Sequence, residues 1–467
     1  MTADRAGGTL LAAAASYDIQ KAMHGELVQN SEDALALDFA THQESHLRYT
    51  AGMDWLHFNG SVWKLDKRLQ RYDYARQLCR SVASGLDDRA ACKIAAAGTV
   101  SSVLSLARSD QRLVVDADQW DSDFSVLNTP GGIVDLLTGE IRPTRHTDLV
   151  TRITEVPPIP GQAPTWERFL SSVFLDDAAV IDFIQSLLGY CLTGSTREQK
   201  LFFFFGKGSN GKSTLLDLVE WILGDYSLKL PAAVLMQSKH SSHPTELAQL
   251  QGRRLATSSE IEDGQYWAES RIKELTGDEM LSARFMRQDF FQFRQTQKHI
   301  ICGNYRPRLK GGDAAMQRRM VLVPFEAAFE GKEQDKHLPD KLRAEAPAIL
   351  HWIIQGAVKW YAQGLTIPDR IRAASAEYMH TMDDLTEWVE DCCDIGPDAR
   401  ESNKYLFASF SAWKLERAEK VPSINTWSER MRQQLKLEQY RTKKVRGFAG
   451  IALTPEEVAR LNLMGRI

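Results

Sequence analysis

The chain has 467 residues, 43% apolar and 25% charged, which leaves room for about three domains and excludes a small disulfide-stapled module or a wholly disordered chain. Lysine and arginine total 57 against 61 acidic residues, a formal charge of -4, so a polyanionic partner would have to be held by local patches. The longest unbroken apolar run, Leu10–Ala15, is too short to cross a bilayer and, preceded by Asp4 and Arg5, too poorly flanked for a secretion signal.

A soluble cytoplasmic protein with no membrane partner is therefore expected. Cys79, Cys92, Cys191, Cys302, Cys392 and Cys393 show no C-x-x-C spacing, so reduced thiols are expected, without disulfides or zinc. Residues 1–30 are rich in Ala and Gly and read as a loose lead-in. Residues 31–154 read as an α+β domain. Within it, Met53–Asp66 sets Asn59-Gly60 between two aromatic-bearing runs, the pair suited to a type I′ hairpin turn. Arg71–Val82 and Asp88–Arg108 read as helices, and Ser125–Ile153 carries turn signals at Pro130-Gly131-Gly132 and Thr138-Gly139. His42 and His46 lack the glutamate of a zinc motif and read as surface residues, as do His240 and His243. Asp116 and Asp118 have no catalytic pattern to join, so no priming site is expected.

Glu155–Pro164 holds four prolines and reads as a linker. Thr165–Leu192 has helical apolar spacing, and Leu201–Phe325 alternates helical stretches with short apolar runs, the pattern of a parallel α/β sheet. Helices dominate Asp340–Cys393, where Ile349, Trp352, Ile353 and Trp360 share a core-facing stripe.

Phe202–Phe205 runs into Gly206-Lys207-Gly208-Ser209-Asn210-Gly211-Lys212-Ser213-Thr214 and then into a helix. Gly206, Gly208 and Gly211 let backbone N–H groups converge on a polyphosphate, Lys212 supplies charge to its β and γ groups, and Ser213 offers a hydroxyl to Mg²⁺. A short strand ends near Glu260, with Glu262 close behind, and either carboxylate suits metal ordering or water activation. Lys298–Asn304 reads as a strand that delivers the Asn304 amide, suited to orienting water. Arg318 and Arg319 head the next strand, where one guanidinium can stabilise the charge of a transferring phosphoryl group.

The last segment, 383–467, reads as a winged helix: helices over Asp384–Asp391 and Asn403–Ala418, a Ser423-capped helix over Ile424–Leu435, and a strand pair turning at Arg446-Gly447. Arg430, Arg432, Lys436, Arg441, Lys443, Lys444 and Arg446 form a basic patch against Glu429 and Glu438, the footprint of a phosphate backbone.

GKGSNGKST, the SSE ending at Glu260, KELTGDEMLSARF at 273–285, CGNYRP at 302–307 and QRRMVLVPF at 317–325 together resemble the superfamily 3 helicases. The likeness is to the branch found in phage and plasmid primase-helicases and in the poxvirus primase-helicase. It extends to the stretch before the motor, notably LRYTAGMDWLHFNGSVWKLD and TPGGIVDLLTGEIRP. The resemblance implies an AAA+-like P-loop ATPase core over 165–382 that binds ATP and Mg²⁺ and assembles as a hexameric ring. It further implies movement along single-stranded or forked DNA, usually 3′ to 5′, in the replication of a phage, plasmid or other mobile element, beside a separate primase or replication initiator. Lys212 and Ser213 take the phosphate and metal roles, Glu260 or Glu262 the acidic role, Asn304 the sensor role, and Arg318 or Arg319 the finger. Lys273–Phe293 corresponds to the channel hairpin, in which Lys273, Arg284, Phe285 and Arg287 are the expected DNA contacts.

Overall fold

The computed structural model describes residues 28–237, 244–259, 261, 264–277, 280–286, 289–309, 314–329, 334–381, 384–417, 421–442 and 445–466. Most of the expected lead-in, His240 and His243 therefore lie outside the described residues. The chain divides into two units, one holding the chain through Asp135 together with Glu140–Pro157, the other Leu136–Gly139 and Pro158 onward.

In the first unit the Ser31 side chain accepts from the Ala34 N–H and starts helix α1 (Glu32–Gln43). Strands β1 (Leu47–Thr50), β2 (Asp54–Phe58) and β3 (Trp63–Leu65) form an antiparallel meander. The β2–β3 connection differs from the expected type I′ turn. It spans Asn59–Val62, and the Asn59 side-chain oxygen accepts from the Ser61 and Val62 N–H groups, so a side chain closes the loop. Helix α2 (Gln70–Ala83) follows. The expected single helix over Asp88–Arg108 is broken into α3 (Asp88–Ile94) and α4 (Ala97–Ala107), because Ala96 is extended and the Thr99 hydroxyl takes the Lys93 carbonyl at the break. Strands β4 (Val126–Thr129), β5 (Gly132–Asp135) and β6 (Ile141–Arg142) make a second meander.

The second unit begins with α5 (Pro164–Phe174), its proline at the first turn where no N–H is needed, and α6 (Ala178–Leu192). Strand β7 (Leu201–Phe205) is followed by α7 (Lys212–Leu223), β8 (Ser227–Lys229), β9 (Leu255–Ser258), α8 (Glu269–Thr276), the hairpin β10 (Met280–Ala283) and β11 (Phe291–Arg294), β12 (Lys298–Gly303), α9 (Ala314–Gln317) and β13 (Met320–Pro324). Five of these strands form a parallel sheet in the order β13-β7-β12-β9-β8. Both faces of the sheet are covered, which is why β7 can be four buried residues of Leu-Phe-Phe-Phe without alternation. Helices α10 (Leu338–Ala344), α11 (Ala346–Gln363) and α12 (Asp369–Thr381) complete this part; Ile349, Ile353 and Trp360 are fully buried, while half-buried Trp352 meets Trp166 edge-on at 5.5 Å.

The end of the second unit comprises α13 (Asp384–Cys392), β14 (Cys393–Ser402), α14 (Asn403–Glu416), α15 (Ile424–Gln434), β15 (Gln439–Arg441), β16 (Arg446–Leu453) and α16 (Pro455–Leu463). Trp388, Phe410, Trp427 and Phe448 fill its core, and Ser423 caps α15 as expected from its sequence. Two points correct the sequence reading. Arg446-Gly447 lies inside β16, the turn being 442–445, where Thr442 donates to Val445 at 2.8 Å. A third strand, β14, pairs with β16 across a bulge between Ile395 and Arg400, where Gly396-Pro397 had masked its strand character. Among the described residues, no single helix is long and apolar enough to cross a membrane.

Candidate functional site

The loop between β7 and α7 is fixed by close contacts that only glycine permits at two positions. A Cβ at Gly206 would lie 2.2 Å from the Phe325 carbonyl oxygen, and Gly211 combines φ +87° with a 2.6 Å approach to Val173. Gly208 has open space. Asn210 is buried, its amide donating to Phe325 O at 3.1 Å and thereby locking the loop to the end of β13. Lys207 and Ser209 are exposed, Ser209 at φ +60°, and Thr214 is half-buried.

Lys212 opens α7 and turns its ammonium inward. It donates to Gly206 O at 2.6 Å, to Asn210 Oδ1 at 2.9 Å and to Asn304 Oδ1 at 3.1 Å. Burial holds its pKa below that of an ordinary lysine. Asn304 stands just past the end of β12, beside β7 in the sheet, so parallel register brings lysine and amide together. They share a cavity of about 300 Å³ with Ser213, Ser258, Ser259 and Cys302. Burial pushes the Cys302 thiol up to about 12, so this cysteine is a neutral wall.

Glu260 and Glu262 lie outside the described residues. Three residues not anticipated from the sequence also line the cavity: Asp217, Glu220 and Lys229. Ser213, Asp217 and Glu220 stand at i, i+4 and i+7 and so share a helix face, a spacing that was available in the sequence. Glu220 accepts from the Thr257 hydroxyl at 2.6 Å, and burial raises its carboxyl above the usual glutamate range.

The two adjacent arginines separate. Arg319 is buried, its guanidinium donating to Thr276 Oγ1 at 3.0 Å and to Ala315 O at 3.1 Å. Arg318 is exposed and borders a cavity of about 500 Å³ with Lys200 and Arg372. The Leu201 N–H donates to Arg319 O at 2.8 Å, which sets the pair at the entry end of β7, whereas the glycine-rich loop leaves its exit end. Five residues at about 3.3 Å each separate those ends by roughly 16 Å.

At the β10–β11 hairpin, Leu281 pairs with Phe293 and Ala283 with Phe291. Phe285 stacks on Phe291 at 5.5 Å, the Arg284 guanidinium lies 4.8 Å from the Phe290 ring, and Phe285, Met286 and Phe290 remain exposed. Lys273 sits on α8 ahead of the hairpin, a correction to the expected placement, and Arg287 lies outside the described residues. In the last segment Arg432, Lys436, Arg441 and Arg446 are exposed, with Arg441 directly opposite Arg446. Arg430 differs: it is half-buried and hydrogen-bonded to Asp384, which also pairs with Lys414. Lys443 and Lys444 lie outside the described residues.

Two families match this chain: "D5 N terminal like" over residues 36–175, and a family of unknown function, DUF5906, over 204–319. A protein of Acanthamoeba polyphaga mimivirus named as a candidate helicase, L207/L206, is 25% identical over 234 residues, 46% of this chain and 24% of that protein. Primase D5 of fowlpox virus is 26% identical over 161 residues, 33% of this chain and 20% of its own length. The chain thus spans about a quarter or less of these curated relatives. A solved structure, the A form of the apo NrS-1 C terminal region, is similar over 89% of this chain and 98% of that one, with 12% identity and a TM-score of 0.49.

Proposed function

Since this chain belongs to the D5-like primase-helicase family, we propose that it is an ATP-driven DNA helicase acting with 3′ to 5′ polarity in the replication of a phage, plasmid or other mobile element. The observation that carries the reading is the Lys212 ammonium held between the glycine-rich loop and Asn304 at the mouth of one cavity. A triphosphate along the loop would exchange those neutral acceptors for charged oxygens and relieve the burial cost of the ammonium. The strand order, with β7 between the strand of Asn304 and the strand headed by Arg318, suits an AAA+-like P-loop core.

In this reading the loop from Gly206 to Thr214 cradles the phosphates, Asn304 orients water, and Glu260 or Glu262 polarises it. Ser213, with Glu260, would hold Mg²⁺; the exposed hydroxyl and the cavity-lining Asp217 are the hard oxygen donors that ion takes. When bound, the ion neutralises charge building on the phosphates. Arg318 is the finger, and its distance from its own loop supports action on a neighbouring copy in a hexameric ring. The hairpin tip follows single-stranded or forked DNA, and residues 383–467 act as a winged helix on the same strand or duplex, beside a separate primase or initiator.

The test is ATP turnover with and without single-stranded DNA, together with unwinding of a 3′-tailed fork, for wild type and Lys212→Ala. Stimulated turnover and unwinding that vanish in Lys212→Ala are expected while the melting temperature stays put. ATP-dependent footprinting with no stimulated turnover would replace the motor by an ATP-gated DNA-binding initiator.

A further inference from the structure

The glycine-rich loop borders a second cavity, of about 590 Å³, through Ser209, Gly211 and Thr214. Successive helical residues point about 100° apart. Ser213 therefore faces the first cavity while Thr214 faces the second. One wall is a single face of α5, on which Thr165, Arg168, Phe169 and Ser172 recur at i, i+3, i+4 and i+7. Phe169 lies directly under the loop: a Cβ on Gly211 would meet its ring at 3.2 Å.

The opposite wall is tied to the loop as well. The Phe329 N–H donates to Ser209 O at 2.8 Å, and the Gln334 amide donates to Phe329 O at 2.9 Å. Leu338 and Pro339 extend its apolar surface, while Lys341, paired with Asp335 at 2.6 Å, forms part of the rim. An aromatic and aliphatic floor with a few polar groups at the edge is what a flat heterocycle with a sugar requires.

We propose that this cavity seats the base and ribose of the nucleoside triphosphate whose phosphates run along the loop toward Lys212. The inference rests on the ATPase reading and extends it from the phosphates to the nucleoside. A triphosphate with its terminal group at Lys212 has its α end at the first turn of α7, so the nucleoside leaves beside Thr214, on the second-cavity side. Phe169 and Leu338 then bear on the faces of the base, and Gln334 and the Arg168–Lys341 rim bear on its edge and the sugar.

Two ligands separate base from phosphate: ATP, and inorganic tripolyphosphate, which has no base. Ser172 is exposed and lines the cavity, so Ser172→Trp fills it without disturbing the core. The expected result is about a tenfold or greater loss of ATP affinity with tripolyphosphate affinity unchanged. Equal loss of both ligands, or loss of neither, overturns the seat. Lys212→Ala is expected to weaken both; if it weakens neither, the ATPase reading fails, whatever Ser172→Trp does. On wild-type protein, photolabelling with 8-azido-ATP is expected to mark peptides within 165–172 or 334–341, and labelling confined to other peptides also overturns the proposal.

Discussion

The Thr257 hydroxyl donates to the Glu220 carboxylate at 2.6 Å and thereby joins β9, the strand that leads toward residues 259–262, to the helix that begins at Lys212. Glu220 is half-buried, and burial raises its carboxyl despite that hydrogen bond. An acid whose folded value lies above its unfolded one binds protons more readily in the fold. Its contribution is complete below the unfolded value of about 4.3 and is lost as pH rises through the raised value. Glu220→Gln should therefore gain stability relative to wild type as pH increases from about 4 toward neutrality. Denaturant titrations across that range check this, and parallel stability curves would remove Glu220 as a perturbed acid.

Arg318 and Arg319 should fail differently when truncated. Arg318→Ala should abolish ATP turnover while leaving the unfolding midpoint unchanged, and mixing it with Lys212→Ala subunits should restore part of the activity if the guanidinium serves a neighbour. Arg319→Ala empties a buried, hydrogen-bonded position and should cost about 2–4 kcal/mol of stability. If equilibrium unfolding instead shows Arg318→Ala as the destabilised variant, the division drawn between the pair is wrong.

The hairpin tip presents an aromatic face beside a cation, the mixture that stacks on bases without reading them. Phe285→Ala should weaken single-stranded DNA binding by ~1–3 kcal/mol, largely irrespective of sequence. Fluorescence anisotropy with mixed-sequence oligonucleotides measures it, and undiminished affinity would mean the strand passes elsewhere.

Salt dependence separates the C-terminal cations. Removing an exposed one, Arg432→Ala or Lys436→Ala, should lower the slope of log affinity against log salt by about 0.7–0.9 if it touches a phosphate. Arg430→Ala should instead leave the slope alone and reduce stability, since its guanidinium is committed to Asp384. A lowered slope for Arg430→Ala would show that the Asp384 pairing opens on DNA.

Much of the central geometry was legible because it depends on local order. The glycine-rich turn, the lysine behind it and the Asn304-bearing strand are each carried by a few consecutive residues, and parallel register does the rest. What stayed hidden depended on contacts distant in sequence. Nothing in Arg318-Arg319 tells which side chain finds Thr276, a partner 43 positions away. Asp217 and Glu220 belong to a helix whose apolar residues dominated its reading, and their place became apparent only against Thr257. The side-chain closure at Asn59 and the break at Ala96 show the smaller errors, where one hydrogen bond outweighs a dipeptide preference or a run of alanines.

The separation between Arg318 and the loop of its own chain also bears on dosage. If the guanidinium completes only an adjoining molecule's pocket, specific activity must fall on dilution and rise steeply with abundance. Fuel consumption would then begin only once enough copies had accumulated to encounter one another, with no dedicated inhibitor needed to keep scarce copies idle.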